Sequence, residues 1–318
     1  IPWATVCLIP LSLFSAVGLF LCPTWLELLG LKFIYEELWS MSLMALNFFE
    51  RHANYPYDTL RQTPLNIACL WAGMWIYRLP RSFVYRTLGL LVLVPWFVVP
   101  INQDLVASNW RLGVLDVGQG LSLVLQTANH TVVFDTGPEY LSGSSAAMQV
   151  VLPYLRYYGR SSVDLMVISH GDMDHSGGLP ELERRLAINE LLSGEPERLS
   201  VIQEVGACQA GMSWQFDGVN LQVISPEDNK PNHHNERSCV IQVTDANHRI
   251  LLTGDMGEKT ERRLVERYQS GLKSDVLIVP HHGSRHSSSL AFIQAVRPSY
   301  ALVSAGRHNQ WNHPNQSV

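Results

Sequence analysis

The first hundred residues contain long apolar runs separated by short polar stretches. Three of these runs, 6–21, 65–77 and 87–102, carry no charged side chain. A helix needs about 20 residues to cross the hydrocarbon core of a bilayer, so these runs and their flanks predict membrane-spanning helices. Trp, Tyr and Arg cluster at the ends of the runs, as they do at membrane interfaces. The alternative is that the runs form buried core helices of a soluble domain.

From residue 109 onward, the chain consists of short segments separated by turns. Within each segment, apolar and polar residues alternate or all residues are apolar. Segments rich in Val, Ile and Leu predict strands at 111–116, 121–126, 131–135, 164–169, 219–225, 239–244, 249–253, 275–280 and 299–304. The segments between them predict helices at 144–158, 179–187, 257–269 and 287–296. Strands followed by helices, twice over, predict two sheets sandwiched between helical layers. The change of pattern predicts two domains, 1–104 in the membrane and 105–318 outside it.

Charge follows the same division of the chain. Residues 1–100 hold six basic and five acidic side chains, which leaves 17 basic and 23 acidic ones beyond and a formal charge of -6 there. Three arginines lie in the short loop before the last apolar run, at Arg78, Arg81 and Arg86. Basic loops favour the cytoplasmic side, so the run that follows is expected to carry the chain outward. Residues 105–318 are then periplasmic or extracellular.

The chain begins within apolar sequence and ends without a closing element, which predicts a piece of a longer polytopic membrane protein. Cys208 and Cys239 are expected to pair only if their domain faces an oxidising compartment. The sequence leaves open whether they do, because no dense disulfide pattern accompanies them.

Residues 170–175 read His-Gly-Asp-Met-Asp-His and hold four potential metal ligands directly after a predicted strand. Three more predicted strands run into loops that carry Asp135, Asp255 and His281. A single Asp or His after a strand is usually a turn or packing residue, but the ordered set of four loops is much more specific. Sites in α/β proteins form where strand ends meet, and His with Asp suits Zn, Mn or Fe.

This ordered set resembles the metallo-β-lactamase fold family, in which an Asp ends an early strand and H-x-H-x-D-H, a bridging Asp and a strand-end His follow. The segments 115–120, 280–284 and 304–314 narrow the resemblance to the C-terminal domain of the ComEC/Rec2 competence proteins, polytopic inner-membrane proteins of DNA uptake. The resemblance implies an α/β fold, an αββα sandwich preceded by α-helical transmembrane segments.

The resemblance also implies one or two divalent metal ions, Zn or Mn, with Asp255 as the bridging ligand. The implied ligands are His170, Asp172 and Asp255 for the first ion, and Asp174, His175, Asp255 and His281 for the second. Asp172 stands where the general motif has its second histidine, and this anion favours a harder ion such as Mn. No clear histidine occupies the family's middle ligand position.

Further roles are implied for residues around these ligands. Asp174, His282 and His313 are the predicted catalytic residues, with His282 or His313 giving a proton to the leaving oxygen. Asp135, Ser284 and Asn309 are predicted to orient ligands or to contact the substrate.

The implied function is a metal-dependent nuclease that cleaves phosphodiester bonds of the non-transported strand during natural transformation. Single-stranded DNA, the membrane and other competence proteins are the implied partners, and the location is a multi-pass inner-membrane protein with a periplasmic hydrolase domain. The net acidic charge beyond residue 100 does not favour DNA, which therefore rests on the resemblance. The alternatives are a hydrolase of a small phosphoester or ester, and a non-catalytic domain that serves the channel.

Overall fold

The computed structural model describes residues 105, 109–140, 143–227 and 233–318. The predicted membrane helices of 1–104 lie outside the described residues, and the domain boundary at 104/105 stays a prediction. Within the described ranges, no helix combines the length and the apolar character that a membrane span requires.

Two six-stranded sheets make up the centre of the described part of the chain. The first sheet has the order β1-β2-β3-β4-β5-β6, antiparallel from β1 to β3 and parallel from β3 to β6. Its strands are Arg111–Val114, Leu123–Gln126, Thr131–Phe134, Ser162–Ile168, Ala187–Ser193 and Gly206–Ala207.

The second sheet is built in the same way, with the order β12-β11-β10-β9-β8-β7. Strands β7 to β10 pair antiparallel, whereas β10, β11 and β12 run parallel. Its strands β7 to β12 are Ser213–Phe216, Val219–Ser225, Val240–Thr244, Arg249–Leu252, Val276–Ile278 and Tyr300–Leu302. Each sheet therefore has a parallel part in which the carboxyl ends of neighbouring strands lie at one edge.

Helices cover the outer faces of both sheets. The α-helices α1 to α5 are Leu152–Tyr157, Met173–Ser176, Leu179–Glu183, Glu258–Tyr268 and Leu290–Val296, and a π-helical turn at Ala147–Val151 leads into α1. Helices α1 and α3 pack on the first sheet, and α4 and α5 pack on the second. The predicted αββα sandwich is confirmed for this part of the chain.

Alternation along each strand explains why apolar cores form on both faces of a sheet. In β2, Leu123 and Leu125 point between the sheets, while Val124 points toward the helices. All three side chains are buried, and full burial of one such side chain stabilises the fold by roughly 1.5–3 kcal/mol. The strands thus read as nearly continuous apolar runs because neither face meets water.

All nine predicted strands form, with ends shifted by a few residues, but β5, β6 and β7 were not predicted. In β5, Asn189 and Glu190 interrupt the apolar pattern, because the first half of the strand is exposed and only Leu191–Ser193 is buried. The predicted helix 179–187 ends at Glu183, and its last predicted residue, Ala187, is the first residue of β5. Strands β6 and β7 are short and lie at the sheet edges, where the apolar signal is weakest.

A disulfide joins Cys208 to Cys239, with the two Cα atoms 5.9 Å apart. Cys208 directly follows β6 of the first sheet and Cys239 directly precedes β9 of the second. Both cysteines are buried, and Cys239 donates its backbone N–H to the carbonyl of Ser169. The bridge therefore links the two sheets close to the loop that carries residues 170–175.

Candidate active site

The chemically active side chains collect at the edge where parallel strands of both sheets end. Asp135 directly follows β3, and the 170–175 loop with α2 follows β4. Asp255 follows β10, and His281 with His282 follows β11. The convergence follows from the parallel pairing of β3 with β4 and of β10 with β11, which brings their carboxyl ends together.

Two buried histidines are held by their Nδ1 atoms so that Nε2 faces the space between the loops. Nδ1 of His175 lies 2.7 Å from Oδ2 of Asp135, and both side chains are fully buried. Nδ1 of His282 lies 2.7 Å from the carbonyl oxygen of Ser304, which can only accept, so Nδ1 is the donor. A partner on Nδ1 fixes the ring and leaves Nε2 for a metal, as in many metal sites.

His170 is also held through Nδ1, and its Nε2 atom lacks a hydrogen bond. Its Nδ1 lies 3.0 Å from the hydroxyl of Ser169, which in turn donates to Asp135 at 2.8 Å. Nε2 of His170 is buried and makes no hydrogen bond within the described residues. Oδ1 of Asp255 is likewise buried without a hydrogen-bond partner there. Each atom has an ionisable neighbour, Asp172 at 3.3 Å and His175 at 3.1 Å, but lacks a well-directed hydrogen bond. Such a buried polar atom is costly, so both atoms favour a ligand between them.

These side chains form two overlapping groups whose ligand atoms lie within 4.8 Å of one another: His170, His175 and Asp255 in one, Asp174, His175 and His282 in the other. We call the five residues together the floor. Nε2 of His175 is 3.1 Å from Asp255 Oδ1 and 3.2 Å from Nε2 of His282. Nε2 of His282 is 3.2 Å from Asp174 Oδ2.

The electrostatics of the floor favour a positive charge among its carboxylates. Burial lowers the pKa of His175, but Asp255 and Asp135 outweigh it and raise that pKa well above its usual range. Burial raises the pKa of Asp255, yet His175 and His282 hold it well below its usual range. A proton or a metal ion can supply the charge that these groups require.

The donor set fits a first-row divalent metal ion. Imidazole nitrogen with carboxylate oxygen suits Zn, Mn or Fe, and the two buried atoms without partners belong to the first group. The expected ligands His170, Asp174, His175 and Asp255 therefore all belong to the floor.

The structure exchanges the positions expected for the two neighbouring histidines of the last loop. His282, expected as a proton donor, is buried in the floor, whereas His281, expected as a ligand, is partly exposed with Nε2 3.7 Å from Asp255 Oδ2. Both residues have positive φ angles, 51° and 54°, so the backbone that carries the two rings is left-handed here. Such backbone is rare outside glycine and often marks functional sites.

Asp172 lies beside the floor and belongs to neither ligand group. Its Oδ2 is 3.3 Å from Nε2 of His170 without a well-directed hydrogen bond, and its Oδ1 is 2.8 Å from the Arg198 guanidinium. His170 lowers the pKa of Asp172, and Arg198 lowers it further against the effect of burial. Asp172 is therefore held as an anion next to His170.

Sequence reasoning missed the residue that organises this ion pair. Glu195 follows β5, is fully buried, and accepts hydrogen bonds from Arg198 at 2.7 Å and from the backbone N–H of Gly171 at 3.0 Å. His234 Nδ1 lies 2.7 Å from its other oxygen. Glu195 follows the same pattern of an acid after a strand, but the pattern was hidden because β5 itself was not predicted.

The remaining expected site residues surround the floor. His313 lies near both histidines of the loop after β11, with tilted rings whose centroids are 6.1 Å from His281 and 6.5 Å from His282. Ser284 is buried in that loop, where its carbonyl accepts a hydrogen bond from Ser287. Asn309 bonds the carbonyls of Gly306 and His313 and so braces its own loop.

The turn at 115–120 also supports the floor from below. Gly120 has a φ of 133°, and a Cβ there would lie 2.3 Å from the carbonyl oxygen of Asp174. Leu121 donates its backbone N–H to that same oxygen at 3.1 Å. The turn thus fixes the backbone of Asp174 through main-chain contacts.

Comparisons with known proteins agree with this arrangement. The model of the metallo-beta-lactamase superfamily matches residues 115–205 and 221–307, more than half of the chain. The chain is 35% identical over 256 residues to Competence protein ComA of Neisseria gonorrhoeae, covering 80% of this chain and 35% of that protein. It is 34% identical over 231 residues to Recombination protein 2 of Haemophilus influenzae, covering 72% of this chain and 28% of that protein.

A third relative matches along almost the whole chain. Uncharacterized protein YcaI of Escherichia coli is 31% identical over 329 residues, which cover 99% of this chain and 41% of that protein. The chain therefore spans between 28% and 41% of the length of these relatives. It belongs to the metallo-beta-lactamase superfamily, whose fold implies a metal-dependent hydrolase, and its resemblance to the ComEC/Rec2 competence proteins is confirmed.

Proposed function

We propose that residues 105–318 form the metal-dependent nuclease domain of a membrane DNA-uptake protein, which hydrolyses phosphodiester bonds of the strand that is not transported. The observation that carries the proposal is the floor, in which three imidazole Nε2 atoms and two carboxylates face one another. The names of the relatives, Competence protein ComA and Recombination protein 2, support DNA as the substrate.

The two ligand groups of the floor would hold one or two divalent ions, Zn or Mn. Such ions neutralise charge on phosphodiester oxygens and lower the pKa of water so that it can attack at neutral pH. The chain holds the ligands in place through Asp135 on His175 and the Ser304 carbonyl on His282. Asp172 and Arg198 add an ion pair next to His170, which keeps an anion at the edge of the first group.

We assign the transfer of a proton to the leaving oxygen to His313. His282 is engaged at both nitrogens, by the Ser304 carbonyl and by the Asp174 carboxylate. His313 lies beside it, and its Nδ1 makes no hydrogen bond within the described residues. A positioned imidazole of this kind typically contributes about 100- to 10,000-fold to rate.

The Cys208–Cys239 disulfide supports a periplasmic or extracellular location for the domain, since disulfides persist in oxidising compartments. The apolar runs of residues 1–104 would anchor the domain in the inner membrane as part of a multi-pass protein. Single-stranded DNA and other competence proteins would be its partners.

The test is a cleavage assay of the full 318-residue chain on single-stranded DNA, with Mn or Zn added or chelated. We expect cleavage that requires the metal and is lost in Asp174→Asn. The matched control is Asp164→Asn, on the opposite end of β4, where an amide oxygen can still accept the Thr131 N–H. Activity confined to small phosphoesters or esters would select that alternative. If the chain neither binds metal nor hydrolyses any of these substrates, the non-catalytic alternative would be selected.

A further inference from the structure

Residues 276–318 have a charge unlike that of residues 101–275. Segment 276–318 contains Arg285, Arg297 and Arg307 and no Asp or Glu. The part from 101 to 275 has 14 basic and 23 acidic residues, a formal charge of -9. The net acidity of the domain thus conceals one acid-free segment. Both loops of this segment that follow strands β11 and β12 lie at the edge where the floor forms.

One large aromatic side chain stands exposed in this segment beside the floor. Trp311 is 53% exposed, and its ring lies parallel to that of His313, with an interplanar angle of 8° and centroids 6.4 Å apart. His313 is in turn 6.5 Å from His282 of the floor. The Trp311 indole therefore lies one imidazole ring away from the candidate ligands and remains accessible to a planar group.

The loop that carries Trp311 is held in place by hydrogen bonds. Asn309 accepts the backbone N–H of His313 at 2.8 Å and donates to the carbonyls of Gly306 and His313. The Gly306 N–H donates to the side chain of Gln119 at 3.2 Å, and the Ser304 hydroxyl donates to the Gly120 carbonyl at 2.6 Å. An exposed aromatic ring on a braced loop has little entropy to lose when it binds a ligand.

Two exposed cations lie in the loops of the same acid-free segment. Arg307 lies four residues before Trp311, and Arg285 lies in the loop after β11. Neither guanidinium has an ion-pair partner within the described residues, and Arg285 donates to His286 instead. We call Arg285, Arg307, Trp311 and His313, together with His281, the rim. Cations with an aromatic ring are the combination by which proteins hold single-stranded nucleic acid.

We propose that Trp311 stacks on a base of single-stranded DNA next to the phosphodiester at the floor, while Arg307 and Arg285 contact neighbouring phosphates. This subsite rests on the proposed nuclease function for its substrate. Stacking requires a flat, accessible base, so it favours a single strand over a duplex, in which the bases are paired and covered. It is tolerant of sequence, because every base has a flat face.

The test compares two oligomers of equal length that differ only in their bases. Fluorescence anisotropy measures binding of labelled oligothymidylate and of an abasic oligomer with the same phosphates, in an Asp174→Asn background with Mn to prevent cleavage. We expect Trp311→Ala to weaken binding of oligothymidylate by about 5- to 100-fold, the loss typical of one stacked base. Binding of the abasic oligomer stays unchanged, and Trp311→Phe restores most of the affinity for oligothymidylate.

Tyr300→Ala is the matched control, because Tyr300 is 69% exposed at the start of β12, the end of the strand away from the floor. It is expected to leave both affinities unchanged. Equal losses on both oligomers in Trp311→Ala, or no loss on either, would overturn the stacking subsite. Loss confined to oligothymidylate in a chain whose wild type does not cleave DNA would instead retain the subsite and reject the nuclease.

Discussion

The floor and the rim of the candidate site are neighbours with opposite properties. The floor consists of buried or half-buried His and Asp side chains, each His held through Nδ1 by a neighbouring residue. The rim belongs to the acid-free segment 276–318 and presents exposed cations and an exposed indole. The floor thus offers the donor set of a small cation, whereas the rim offers exposed guanidinium and indole groups.

The difference shows why net charge is a poor guide to the substrate of this domain. The candidate ligands Asp174 and Asp255, together with the other Glu and Asp side chains, give residues 101–275 a charge of -9. Long-range repulsion of this kind is screened over roughly 10 Å at 0.1 M salt, so the charges next to the substrate count most. Near the floor these are the metal ions that it would hold, while Arg285 and Arg307 lie in the loops that follow β11 and β12.

The largest loss of metal affinity and activity is expected at the loop after β11, in which His282 belongs to the floor and His281 to the rim. His282→Ala removes an imidazole whose Nε2 lies 3.2 Å from Asp174, so we expect metal affinity and activity to fall by more than about 100-fold, beyond the loss of an orienting residue. His281→Ala removes a partly exposed ring and should cost about 10-fold or less. Metal titration calorimetry and the cleavage rate measure both variants. A larger loss in His281→Ala would return the ligand role to His281.

Asp135→Asn tests whether the floor depends on the residues that orient it. Asp135 accepts hydrogen bonds from the Ser169 N–H and hydroxyl and holds His175 through Nδ1. We expect metal affinity to fall by about 10- to 100-fold, because the amide removes the charge and one of its acceptor oxygens. The control is Ser122→Ala, whose hydroxyl contacts only the backbone carbonyl of Asp135. Equal metal affinity in the wild type and Asp135→Asn would show that the floor is preorganised without it.

Most residues of the floor could be predicted from the sequence, because they follow the ends of strands. Four apolar runs that each end in Asp or His predict convergence as soon as the strands run parallel. The exchange of His281 and His282 could not be predicted, because two histidines directly before Gly283 adopt the left-handed backbone that glycine usually takes. Glu195 was hidden by a strand whose first half is polar and exposed.

The rim was harder to predict from the sequence, for a different physical reason. Its residues are exposed and obey no periodicity, so a single Trp at 311 reads like any surface aromatic until its neighbours are known. Asn309, predicted to orient ligands or to contact the substrate, braces the loop that presents Trp311, and its contact with substrate stays a prediction. The absence of acidic residues after Asp275 is visible in the sequence and carries meaning only when both loops are placed beside the floor.

Asp172→Asn tests whether the floor extends beyond its five residues. Asp172 is 41% exposed on its side chain, pairs with Arg198 and lies outside both ligand groups. We expect metal affinity to fall by about 10-fold, as for a residue that supports a ligand, and therefore less than in Asp174→Asn. Calorimetry with Mn and Zn on both variants measures the order. If Asp172→Asn loses as much metal affinity as Asp174→Asn, Asp172 is a direct ligand and belongs to the floor.

The smallest effect is expected from the cations of the rim, and salt dependence reveals it. Arg307→Ala and Arg285→Ala should each weaken binding of single-stranded DNA and reduce the slope of log affinity against log salt by about 0.7, the value for one lost phosphate contact on a single strand. Arg297→Asn is the control from the same acid-free segment, because Arg297 lies between α5 and the start of β12, at the opposite edge of the sheet. It should leave the slope unchanged, since asparagine tolerates the left-handed backbone at this position. If all three variants lowered the slope equally, the charge of the whole segment would attract DNA and the rim would have no special place in binding it.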